Sequence, residues 1–338
     1  MLINFFKIFF SILLIIYQIP VYSKNNYINE FNYKDLSNYF SAKVSYGNQK
    51  NADALKFFKS SKSLINIHNP YLKQYIFSLI LEGKVNTAIK ELKSSENKKN
   101  SDFFEAYLLL IIDSINKNDF KKITKYLNNL SKFGSDDTLN LVIYESLKNY
   151  IFLFEKKKMP SNDSAFNNLT LISRAFQSCY LDNEQTEFYF FDLINNKEVD
   201  YSRYTFFYIN NLIEQKKFQI AKDTMDQIDP LNSSLLVRQT KNWIDNKKFE
   251  KLSEIFSCKS ESNILSEFFY LIANLYSSQN DFEKSNFYLN ISNFLNPKFK
   301  FNLSLLAENY YKNNDYKKTE NILNNFNEND GIYYWYKI

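Results

Sequence analysis

Between residues 267 and 326 the chain repeats itself at a fixed interval. Ala273 and Ala307, Tyr276 and Tyr310, Asp281-Phe282 and Asp315-Tyr316, and Leu289 and Leu323 each lie 34 residues apart. A weaker echo runs near the N-terminus. Ala54 and Ala88 are separated by the same 34 residues, and Ile123 takes the corresponding slot 35 residues further on. Within each unit two amphipathic stretches flank a short polar turn. These turns are Gly47-Asn48-Gln49-Lys50-Asn51, Glu82-Gly83-Lys84 and Asn118-Asp119-Phe120. Apolar residues recurring at helical spacing on both sides of such a turn describe a helix pair. One pair cannot bury its apolar face alone, so copies of it stack.

Composition agrees with helices joined by short turns. The 338 residues include only 4 Gly and 5 Pro. Doubly wound α/β folds need glycine for positive φ in their turns and phosphate loops, and β-sandwiches need a turn signal every few residues. An all-α chain needs the fewest of both. Aromatic residues make up 18% of the chain, yet the net charge is only +5 with acidic and basic residues interleaved. A stacking platform for nucleic acid requires a strongly basic groove as well. No nucleic-acid partner is expected.

The unit resembles the tetratricopeptide repeat family, whose pattern sets a small residue on helix A, a Tyr three positions on and an acidic-aromatic turn. A small residue then opens helix B and Pro closes the unit. Glu267–Pro297 carries Ala273, Tyr276, Asp281-Phe282, Ser285 and Pro297 at those positions. The next unit carries Ala307, Tyr310, Asp315-Tyr316 and Thr319 without the closing Pro. Degenerate copies lie at Arg203–Ile228, with Phe218 and Ala221, and at Leu235–Phe256, with Trp243 and Phe249. About seven pairs are recognisable.

The resemblance implies an all-α fold: a right-handed superhelical array of antiparallel helix pairs, an α-solenoid. It divides the chain into N-terminal repeats over 24–134, an irregular helical segment over 135–200 and C-terminal repeats over 201–330. Within the irregular segment, helices are expected over Leu139–Phe154, Phe166–Leu181 and Glu187–Asn195, with a loop at Met159–Ser164. Residues 331–338 read as the start of a further helix, cut short. The family binds partners on the concave face made by helices A. Counting along the pattern places Tyr39, Lys43, Tyr46, Lys73, Phe77 and Arg203 there, with Phe206, Asn210, Tyr270, Asn274, Glu308 and Tyr311. Exposed aromatics beside Lys, Arg and Asn suit an extended protein or peptide segment. The Lys and Asn spacing with which some members grip a C-terminal carboxylate is not reproduced.

Residues 1–23 read as a secretory signal peptide. Lys7 precedes an apolar run from Ile8 to Ile19, Pro20 breaks it, and Val21-Tyr22-Ser23 offers a cleavage site. The apolar run over residues 5–19 is short for the roughly 20 residues of a spanning helix. Cleavage after Ser23 and a periplasmic destination are therefore expected, with an inner-membrane anchor as the alternative. Cys179 and Cys258 are the only cysteines, 79 residues apart. In a stack where each repeat touches its neighbours, that separation exceeds two repeats, so two separate buried thiols are expected.

No arrangement carries recognisable catalysis. His68, the only histidine, sits in the connection Asn66–Pro70 and is expected to be a solvated turn residue. No nucleophile elbow, phosphate loop or metal-ligand spacing occurs, so no catalytic residue, cofactor or metal is expected. The function implied is a non-enzymatic protein-binding scaffold of the cell envelope. Two alternatives stand beside it: an accessory array of a longer enzyme or assembly protein, and a glycan or small-molecule module with an apolar pocket closed by the middle helices.

Overall fold

The computed structural model describes residues 32–326 apart from 96–98, 136, 162–165, 167, 197–201 and 230–232. The expected signal segment over 1–23 and the expected helix start over 331–338 lie outside the described residues. So do residues 162–164 of the expected loop. Among the described residues there are seventeen α-helices and no strand.

Sixteen of these helices form eight pairs. The N-terminal pairs are α1 (Tyr33–Gly47) with α2 (Asn51–Ser60), α3 (Asn69–Leu81) with α4 (Val85–Ser94), and α5 (Phe104–Ile115) with α6 (Phe120–Leu130). The single helix α7 (Thr138–Lys156) follows. Then come α8 (Asn168–Tyr180) with α9 (Thr186–Ile194), α10 (Tyr204–Glu214) with α11 (Phe218–Asp226), and α12 (Leu235–Asp245) with α13 (Glu250–Ile255). The last two pairs are α14 (Glu261–Ser278) with α15 (Phe282–Leu295), and α16 (Phe301–Lys312) with α17 (Tyr316–Leu323).

Every pair turns in the same way. Gln49, Gly83, Asn118, Asp182, Lys216, Lys247, Asn280 and Asn314 all have positive φ, between 53° and 67°. Each N–H bonds back three residues and the following N–H bonds back five, as in Gln49 N to Tyr46 O and Lys50 N to Ser45 O, both 2.9 Å. This left-handed ending satisfies the orphan carbonyls of helix A and reverses the chain within two residues. The acidic residue of the turn then starts helix B. Asp119, Asp281 and Asp315 each accept from the backbone N–H three residues on, at 3.1–3.2 Å. A carboxylate there caps donors and meets the positive end of the helix dipole. Small residues let the paired helices approach: Ala54, Ala88, Ala221 and Ala273 have no exposed surface.

The pairs do not only stack on their neighbours in sequence. Helix α15 packs against α14 and α16, and also against α3 and α4 from the other end of the chain. Every residue from Ser285 to Ser292 is buried, so α15 is enclosed on all sides. Phe287 stacks on Phe77 of α3 with ring centroids 4.7 Å apart, and Tyr288 lies between the rings of Phe269 and Tyr276. Burying one such aromatic contributes roughly 1.5–3 kcal/mol. Further ties join the two ends: Tyr310 donates to the Leu81 carbonyl at 3.3 Å, and Lys318 pairs with Glu82 at 3.1 Å.

A second aromatic cluster gathers Phe176, Phe190, Phe206, Phe207, Phe256 and Phe299 around the middle helices. Beside it the structure corrects the expectation of separate thiols. Cys179 at the end of α8 and Cys258 before α14 form a disulfide. Lys259 donates to the carbonyls of Cys179 and Tyr180 at 2.9 and 3.1 Å, and Tyr180 donates to Glu261 at 2.6 Å. The end of α8 thus meets the start of α14 with two helix pairs intervening in sequence.

Candidate functional site

The residues expected to line a groove fall into several places. Tyr46 donates to the Glu283 carboxylate of α15, and Phe77 stacks on Phe287 of the same helix. Burial, followed by the Glu283 carboxylate, holds the Tyr46 phenol protonated well above its ordinary range. Lys73 pairs with Glu105 at 3.1 Å and lies over the ring of Phe77. These helix A side chains are brought together, and α15 occupies the space before them.

Arg203 and Tyr270 form a second group. The guanidinium sits 3.8 Å above the Tyr270 ring and grips Glu267 with two bonds of 2.7 Å, while Asn302 accepts a third at 2.6 Å. Glu267 is buried, and burial pushes its carboxyl upward while Arg203 pulls it back. Phe206 is enclosed by the aromatic cluster, and Asn210 donates to the carbonyls of Leu252 and Phe256 at 3.3 and 2.7 Å, closing the end of α13.

The remaining candidates are scattered. Tyr39 is buried and donates to Gln74 at 3.0 Å; Lys43 is exposed with its ammonium 6.0 Å from the Tyr39 ring centroid. Asn274 is exposed, and Glu308 pairs with Lys312 one turn on at 2.7 Å. Tyr311 stands exposed against Tyr316. His68 is not the solvated turn residue expected. It is half-buried at the start of α3, with Nε2 2.9 Å from the Tyr39 hydroxyl, and burial together with Lys43 lowers its pKa. No group of three or more His, Cys, Asp or Glu able to hold a metal ion occurs among the described residues.

Two of the open surfaces involve the first helix pair. The first is the outer face of α1, where Tyr33, Phe40 and Val44 are 87%, 56% and 64% exposed. With Ser37 they recur at steps of four, three and four residues along one stripe. The second is a cleft where the turn of the first pair meets the turn of the last. Its outer chamber encloses about 520 Å³ between Gln49, Lys50, Asp53, Asn313, Asn314 and Lys317. An inner chamber of about 60 Å³ reaches Tyr46, Leu81, Phe282 and Tyr310. Asn313 donates to Gln49 across the boundary of the two.

Neither surface has a signal in the 34-residue pattern. The stripe could have been found as surplus apolar residues on α1 that the repeat does not need, whereas the cleft depends on residues more than 250 positions apart. No protein-family model matches the chain, and no curated protein sequence is similar to it.

Proposed function

We propose that this chain is a non-enzymatic interaction scaffold of the tetratricopeptide type, exported to an oxidising compartment, that accepts a helical segment of a protein partner along α1. The supporting observation is the stripe Tyr33, Ser37, Phe40 and Val44. A four-three-four spacing is the seam by which one helix packs on another. Lys34 and Lys43 flank it on opposite sides, both exposed, and neither pairs with a carboxylate among the described residues. The partner helix therefore carries apolar residues on one face and acidic residues at its edges. In this reading the helix pairs wind as a right-handed superhelix tight enough for its last pairs to fill the concave side, which leaves α1 as the docking face. The disulfide supports export, because such bonds persist in oxidising compartments.

Phe40→Glu places a charge on the stripe at a residue that is 56% exposed. In pull-downs from cell-envelope fractions, a protein retained by the wild type and by Phe188→Glu, but lost with Phe40→Glu, is the expected result. Its retention should weaken with added salt, since exposed Lys34 and Lys43 contribute through screened charge. Equal retention by all three chains overturns the proposal, and so does capture of nothing. A dimer of the isolated chain that Phe40→Glu dissociates would instead assign the stripe to a second copy.

A further inference from the structure

We infer that the cleft between the first and last helix pairs binds a neutral saccharide, bridging the two ends of the chain. Its walls carry the chemistry that hydroxyl groups require. Asn48, Gln49, Asn51, Asn313, Asn314 and Asn321 line the outer chamber. Asn48 and Asn321 each offer a donor and an acceptor side by side, the arrangement that pairs with two adjacent hydroxyls, while Gln49 and Asn313 bond each other and Asn314 accepts from Tyr316. Charge is balanced there: Lys50, Lys317 and Lys318 stand against Asp53, Glu82 and Asp315. A cleft without net charge gives no advantage to phosphates or polyanions. The outer volume lies within the range of small-molecule sites.

A second observation points inward. Asn51 is 5% exposed and lines both chambers; its amide donates to the Ser78 carbonyl and to Glu82, each at 3.0 Å. Its Oδ1 has no hydrogen-bond partner. An unpaired buried acceptor costs about 1–3 kcal/mol, and a hydroxyl donor arriving from the cleft removes that cost. Tyr46, Phe282 and Tyr310 close the inner end, where a chamber of about 60 Å³ takes a hydroxyl or hydroxymethyl substituent and not a whole sugar ring.

The site differs in place and character from the apolar pocket that a glycan-binding module was expected to form among the middle helices. It is polar, and it exists only because the chain's ends meet. A bound sugar would bridge Asn48 of one end and Asn321 of the other, so binding should raise the melting temperature of the whole chain.

The test is saturation-transfer NMR and calorimetry on the full chain with maltose, cellobiose and N,N′-diacetylchitobiose, and with glucose 6-phosphate as an anionic control. At least one neutral sugar is expected to bind. Asn48→Ala with Asn321→Ala, both exposed on the rim, should weaken that binding at least tenfold without lowering the melting temperature of the unliganded chain. Phe40→Glu, remote from the cleft, should leave it unchanged. Absence of binding by all three neutral sugars up to about 10 mM, a scale on which even millimolar affinities are seen, overturns the inference. So does binding that the two alanines do not affect, or a preference for the phosphorylated control.

Discussion

At the scale of single residues, the Arg203–Glu267 pair concentrates the most charge in the least water. Glu267 is enclosed and Arg203 spans from it to the Tyr270 ring and Asn302. Such a pair stabilises little against an apolar replacement, but losing one partner strands the other. Arg203→Met is therefore expected to cost about 3–5 kcal/mol at neutral pH. The pH dependence has a definite sign. Burial already raises Glu267 above its unfolded value, and without Arg203 nothing pulls it back. A carboxyl raised on folding favours the folded state below its unfolded pKa and loses that contribution as pH rises through the folded one. Urea denaturation should find the deficit of Arg203→Met smaller at pH 4 than at pH 7, whereas a deficit independent of pH would argue that Glu267 is not the stranded group.

At the scale of elements, the common device is the left-handed residue that ends each helix A. Of the eight, only Gly83 is glycine; Gln, Asn, Asp and Lys hold the others. An L-residue in that region costs about 1–2 kcal/mol, partly offset because glycine loses more chain entropy on folding. Lys247 is exposed and makes the same turn bonds as its counterparts. Lys247→Gly should therefore stabilise the chain by about 0.5–1 kcal/mol, read as a higher urea midpoint with unchanged slope. The reverse change at Gly83 isolates the backbone effect. A Cβ there meets only Asn290 Oδ1, at an ordinary 3.7 Å, so Gly83→Ala should cost about 1 kcal/mol from conformation alone.

At the scale of the whole molecule, closure sets the architecture. Phe77 against Phe287, Tyr310 on the Leu81 carbonyl and Lys318 on Glu82 bind the ends, while Cys179–Cys258 fastens the middle. A bond closing 79 residues restricts the unfolded chain strongly. Replacing both cysteines by alanine is expected to lower stability by about 2–4 kcal/mol, measured by urea denaturation of the two chains under the same oxidising conditions. No loss would mean that the surrounding contacts hold α8 to α14 without the bond. No helix among the described residues is long and apolar enough to cross a membrane.

The sequence by itself determined what is local. Scarce glycine and proline, the apolar spacing and the recurring turns specify helices, and the middle ones appear close to where they were expected: α7 at Thr138–Lys156 and α8 at Asn168–Tyr180. Asp281-Phe282 and Asp315-Tyr316 were readable as the turns between paired helices, because a turn and the cap it supplies act within four residues. What only the tertiary structure decided is which distant surfaces meet. The pairing of Phe77 with Phe287, of Cys179 with Cys258 and of Arg203 with Glu267 joins residues 210, 79 and 64 positions apart. The small angles at which successive helix pairs pack add up along a chain, and their sum sets where its ends arrive. No window of sequence contains that sum. A linear reading assigns helix A residues to an open groove, whereas the tertiary contacts set α15 against Tyr46 and Phe77.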